Sequence, residues 1–163
     1  RNKSVPLVLA GVEHLFPIYK EANSYPHLVE NGISGNPERL KAEELYEQGW
    51  KIVEPHFRTA REEAVSLYGQ VAGSAQASNS IKEVVLRAYE GRIDIVFVAV
   101  GIQQWGAFDP DKLAVHFHTE PEPGDEDLLD LAAVHTYLNG GTVYAVKPDD
   151  VPDATPLAAI YRY

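Results

Sequence analysis

Between residues 116 and 122 the chain reads His-x-His-x-Glu-x-Glu. On a β-strand, side chains two apart share a face. His116, His118 and Glu120 could therefore turn two imidazoles and a carboxylate toward zinc or another divalent metal. That reading gives a metal-binding or hydrolytic domain. The plain alternative is an exposed polar strand edge that runs into an acidic, proline-bearing turn. Asp125-Glu126-Asp127 with Asp130 forms a second cluster, suited to a cation or a basic partner. It competes with a helix whose first turn carries acids that complement the dipole.

Other chemistries lack their residues. The chain has no cysteine, which removes disulfides, thiolate zinc sites and cysteine nucleophiles together. It shows neither the Gly-x-Ser-x-Gly elbow of serine hydrolases nor a Gly-x-x-x-x-Gly-Lys-Ser/Thr phosphate loop. No catalytic residue and no cofactor are assigned. Candidate partner contacts are Trp105 and Phe108, two aromatics in the polar stretch 103–111, since such side chains dominate interfaces. Both could equally fold back on the core. Arg162, between Tyr161 and Tyr163, could pair with an acid, stack on a ring, or sit as a charge at the rim of a sheet. His135 falls on the apolar stripe of its helix and reads as a boundary histidine.

These residues hang on a regular succession of elements. Ile81, Val84, Val85 and Ala88 give a helix one apolar stripe, with Ser80-x-x-Glu83 as a capping box at its start and Gly91 as its stop. The run Ile93–Val100 is apolar and β-branched apart from Asp94, as in a strand covered on both faces. Upstream, Val5–Ala10 reads as a strand and Glu13–Ala22 as a short helix or irregular strand around Pro17. His27–Ile33 is extended, and Asn36-Pro37-Glu38 marks a helix start. A long stripe from Leu45 to Val71 includes Tyr46, Trp50, Phe57, Ala64 and Tyr68. It predicts a helix with one buried face that kinks or breaks near Glu54, ahead of Pro55. Downstream come a loop over Gln103–Asp111, a strand over Leu113–His118 and a turn over Thr119–Gly124. A helix striped by Leu128, Leu131, Ala132, His135 and Leu138 follows, stopped by Gly140-Gly141. Strands over Thr142–Val146 and Leu157–Tyr163 close the chain. The pattern predicts an α/β fold, a three-layer α/β/α sandwich around a mixed sheet.

With 163 residues and 45% hydrophobic content, the chain is long enough for one domain with a sizeable core. Residues 1–163 read as a single domain. No methionine is present, and the expectation is the C-terminal part of a longer protein. The opening Arg1–Ser4 has no signal-like apolar core after it, and no run approaches a membrane span, so a cytoplasmic location is expected. The net charge is −10, and residues 101–163 hold 11 acids against three bases. Such acidity disfavours broad nucleic-acid binding. An RNA-binding reading needs a basic patch built from Arg58, Arg61, Lys82, Arg87 and Arg92.

An ordered set of short motifs carries a resemblance. Leu9–Val12, Tyr25-Pro26, Gly35–Pro37, Gly91–Ile93, Asp127–Ala132 and Gly140–Tyr144 occur in the order seen in the bacterial archaeo-eukaryotic release-factor-like family. The helix-Gly-strand unit at Ala88–Val96 and the terminal Ala159–Tyr163 are similar to the last domain of archaeal and eukaryotic peptide release factors and of Pelota. The resemblance implies the fold of the kink-turn-binding ribosomal proteins. It also implies a non-catalytic module that docks a protein partner, the ribosome or a translational GTPase. Release factors of this kind use a Gly-Gly-Gln loop, whereas here Thr142 follows Gly140-Gly141.

Overall fold

The computed structural model describes residues 5–163, so the opening Arg1–Ser4 lies outside the described residues. The backbone gathers into two compact units, residues 1–60 and 61–163.

In the first unit, two extended segments run parallel. A bridge joins Leu7 to Leu28, and β1 (Ala10–Gly11) pairs with β2 (Ile33–Ser34). Between them lie a 3-10 turn over Glu13–Leu15 and helix α1 (Phe16–Ala22). Pro17 sits in the first turn of α1, where its missing N–H costs nothing. The Asn36 side chain does cap, but it accepts from the Glu38 amide of a single 3-10 turn, Pro37–Arg39. Helix α2 (Ala42–Val71) begins afterwards, and the Glu44 carboxylate accepts from the Lys41 amide at its start.

Helix α2 runs for 30 residues with Pro55 inside it, so of the kink or break expected near Glu54 the break does not occur. A proline removes one ladder bond, and the remaining bonds keep the residues on either side of it helical. The single buried face is also only half realised. Ala64 and Tyr68 are buried, whereas Tyr46, Trp50 and Phe57 on the same stripe are exposed.

The second unit is the three-layer α/β/α sandwich that the pattern predicts. Its sheet has the order β3 (Ala77–Ser78), β9 (Leu157–Tyr161), β4 (Ile93–Ala99), β8 (Thr142–Val146). β4 is parallel to β8 and antiparallel to β9, so the sheet is mixed. One face packs on α3 (Ile81–Tyr89) and α4 (Leu128–Leu138) through Val84, Val85, Ala88, Leu128, Leu129 and Ala132. The other face packs on Ala64 and Tyr68 of α2 through Phe97, Ala99, Val146, Ala158 and Ile160.

The register of β4 slips between Ile93 and Ile95. Asp94 is the extra residue of this bulge, and it is exposed. The bulge lets Ile93 and Val96 face one core while Ile95 and Phe97 face the other. It also gives the strand's one charge a place outside both.

Several local expectations change. The stretch 103–111 is not a loop: it contains β5 (Trp105–Asp109), flanked by β6 (Ala114–Phe117) and β7 (Glu126–Asp127) in a second sheet. Its side chains are part-covered with no alternation, which hides it from a periodicity argument. Ser80 makes no capping bond. Its amide instead donates to the Ser78 hydroxyl, which in turn donates to Glu83. In α4 the buried set is Leu128, Leu129, Ala132 and Thr136, and Leu138 is exposed. Gly91 stops α3 as predicted, in the left-handed conformation at φ +71°.

Candidate functional site

The His116–Glu122 segment begins on β6 and leaves it after Phe117. His118 is held just beyond the strand by its amide, which donates to the Trp105 carbonyl at 2.9 Å. Its ring turns to an acid that the alternation argument did not select. Nδ1 of His118 lies 2.8 and 2.9 Å from the two carboxylate oxygens of Asp125. Asp125 is almost fully covered, with 3% of its side chain exposed, and it also accepts from the Glu122 amide. The Glu122 amide is the main cause that holds the Asp125 carboxyl below its ordinary 3.8; burial opposes it and His118 adds to it. The bond to Asp125 in turn raises His118 above its ordinary 6.5, against the cost of desolvation.

His116, Glu120 and Glu122 stay exposed. Among the described residues, no group of three His, Cys, Asp or Glu side chains is placed to hold a metal ion. His118 and Asp125 instead form a couple that ties the turn 119–125 to the end of β6. Asp125 and Asp127 do not serve in the first turn of α4. Asp127 is its N-cap, accepting from the Leu129 amide and from the Gln104 amide, while Asp130 is the acid in that turn. The competition is decided by the Glu126–Asp127 pairing with β5, which keeps those residues extended.

The three candidate partner contacts separate. Phe108 packs against the core and meets Tyr89 edge-on, with ring centroids 5.0 Å apart. Trp105 is half-buried and lines a shallow cleft of about 330 Å³ with Gln103, Gln104, Phe117, His118 and Thr119. Gln104 Nε2 donates to the carbonyls of Trp105 and His118 beside this cleft. Arg162 donates from Nη1 to the Gly91 carbonyl at 3.2 Å and from Nη2 to the Asn139 carbonyl at 2.9 Å. Those carbonyls lie at the C-terminal ends of α3 and α4, where a cation also complements the dipole. His135 is half-buried and edge-on to Tyr89.

Gly140 and Gly141 belong to the fold's own needs. Gly140 takes φ +77° after α4. A Cβ on Gly141 would come within 2.7 Å of Thr136 Cγ2 and 2.8 Å of the Ile93 carbonyl oxygen. The pair closes a helix and lets the chain pass against β4. Three of the five residues named for a basic patch already face carboxylates. Arg58 pairs with Glu54 in the first unit, and in the second Arg87 and Arg92 share Glu90. Arg61 borders a cleft with Glu62, Asp149 and Asp150.

Residues 1–92 match the bacterial archaeo-eukaryotic release factor family 3. The chain belongs to this family. Membership in a release factor family ties it to translation. Among solved structures, it is similar to Pelota from Archaeoglobus fulgidus, at 17% identity and a TM-score of 0.45 over 97% of this chain and 49% of that one. It is also similar to archaeal Pelota in a model bound to the ribosome with ABCE1, at 16% identity and 0.46 over 93% and 40%. The chain thus spans half or less of the length of these two proteins. No curated protein matches it. No helix among the described residues is long and apolar enough to cross a membrane.

Proposed function

We propose that residues 1–163 are a non-catalytic interaction domain of a bacterial release-factor-like protein, serving translation termination or ribosome rescue by docking on the ribosome or a translational GTPase. The family match over residues 1–92 carries this reading. The geometry agrees with it. Of the residues singled out in the sequence, His118 is spent on Asp125 and Arg162 on two helix ends, while His116 and Glu120 stay exposed and apart from any metal-binding group among the described residues.

Co-sedimentation tests the proposal. The full-length protein should pellet with ribosomes, and deleting these residues should weaken that association at low and moderate salt. Equal sedimentation with and without the domain would overturn the docking role. An RNA-binding reading, with its likeness to kink-turn-binding ribosomal proteins, has weaker support, because three of its five basic residues already face carboxylates.

A further inference from the structure

Tyr46, Trp50 and Phe57 leave the first half of α2 with a bare aromatic face, at 68%, 45% and 47% exposure. Their rings stand in file. Tyr46 and Trp50 are 6.3 Å apart at 15°, and Trp50 and Phe57 are 6.0 Å apart at 19°. Rings already ordered against one another lose little more freedom when covered, and Trp and Tyr are the residues that most often anchor an interface. A cleft of about 420 Å³ opens beside Phe57, lined with His56, Ala60, Pro26, Leu28 and Val29 among others. It offers room for an aromatic ring arriving from outside.

The charges along one flank of this file say what would cover it. Glu47, Lys51, Glu54 and Arg58 follow at spacings of four, three and four, so they share one side of the helix. Read in reverse, the order is Arg, Glu, Lys, Glu. When two copies of a helix pack antiparallel about a two-fold axis, the same flank of each meets the other. Centring that axis between Ile52 and Val53 sets Glu47 against Arg58 of the second copy and Lys51 against Glu54. All four crossings join opposite charges, while the aromatic files lie between them. Glu54 and Arg58 already lie 3.6 Å apart within one helix, so a second copy would extend a pairing that exists.

We infer that the first half of α2 is a self-association surface, covered by the same segment of a second copy running antiparallel. The test is sedimentation velocity on the full-length protein from about 1 to 100 µM, the range in which a modest interface shows its equilibrium. A concentration-dependent dimer is expected. Trp50→Ala should weaken it by about a hundredfold, as the loss of a central anchor does. Arg58→Glu should weaken it by about tenfold. The double variant Glu47→Arg with Arg58→Glu should restore it to within about threefold, because the crossings are exchanged rather than lost.

The charge exchange decides the matter even where Trp50→Ala fails to fold. A protein that stays monomeric throughout the range would overturn the inference. So would a dimer indifferent to both the tryptophan and the charge reversal. A monomer whose ribosome sedimentation falls with Trp50→Ala would overturn it too, handing the aromatic face to a translation partner.

Discussion

Arg162 shows how one side chain can look like a partner contact and serve the fold instead. Its guanidinium reaches the carbonyls of Gly91 and Asn139 at once, and its amide donates to the Arg92 carbonyl at 2.9 Å. Both side-chain acceptors belong to helix ends, where carbonyls have no intrahelical donors. Arg162→Ala should lower the unfolding free energy by about 1–2 kcal/mol, the order expected for charged hydrogen bonds that are partly solvated. Urea unfolding measures this, and Arg162→Lys should recover only part of it, since one ammonium cannot span both carbonyls. Unchanged stability in the alanine variant would return Arg162 to the list of partner contacts. From sequence, an arginine between two tyrosines on a last strand gives no sign of this role, because its acceptors lie 71 and 23 positions away.

The turn 119–125 is held by the His118–Asp125 couple, so its stability should follow two titrations. His118 is raised above 6.5, so its contribution is complete below that value and is lost as the pH climbs through the higher folded value. Asp125 is lowered below 3.8, so its contribution is present above that value and is lost as the pH falls through the lower folded one. The turn is firmest between those limits. An NMR titration should place the His118 midpoint above 6.5 in the natural protein and lower it in Asp125→Asn. An equal midpoint in both would remove the couple. At the far end of α4 the constraint is steric. Gly141→Ala drives a methyl into Thr136 and the Ile93 carbonyl and should cost about 1–3 kcal/mol in chemical denaturation. Loss of almost nothing would mean that β8 can shift away freely. Helices α3 and α4 and strands β4, β8 and β9 are legible in the sequence because apolar periodicity and glycine stops agree there. Strand β5 is not, because its part-covered side chains break the alternation. The exposure of Tyr46, Trp50 and Phe57 is equally hidden, since the stripe continues without change into the buried Ala64 and Tyr68.

Apolar burial is divided unevenly along the chain. Among the described residues the first unit buries two hydrophobic side chains, Val29 and Ile33, and the second buries twenty. Charge is uneven as well: residues 1–60 carry seven bases and eight acids, while residues 61–163 carry seven bases and 16 acids. A unit with so small a core opens at lower cost than one with a full sandwich. Hydrogen exchange should find the slowest amides in β4, β9, α3 and α4, and much faster exchange in residues 5–41. Equal protection in the two regions would contradict this division. It would favour one cooperative block over all 163 residues, the single domain that we propose from the sequence. The aromatic face of α2 lies in the weaker unit, where an arriving second copy would add the burial that the unit lacks.

Asp94 has a consequence for how this chain can vary. It is the one residue of β4 without an opposite number, and both faces of the strand are apolar. Deleting it would leave a stretch that any reader of hydrophobicity would still score as a perfect strand. Ile93 would then adjoin Ile95, and plain alternation would still set it in the core under α3 and α4, with the ladder to β9 closed. Here the strand has room to lose a residue without exchanging its two faces, and a substitution table would not register it.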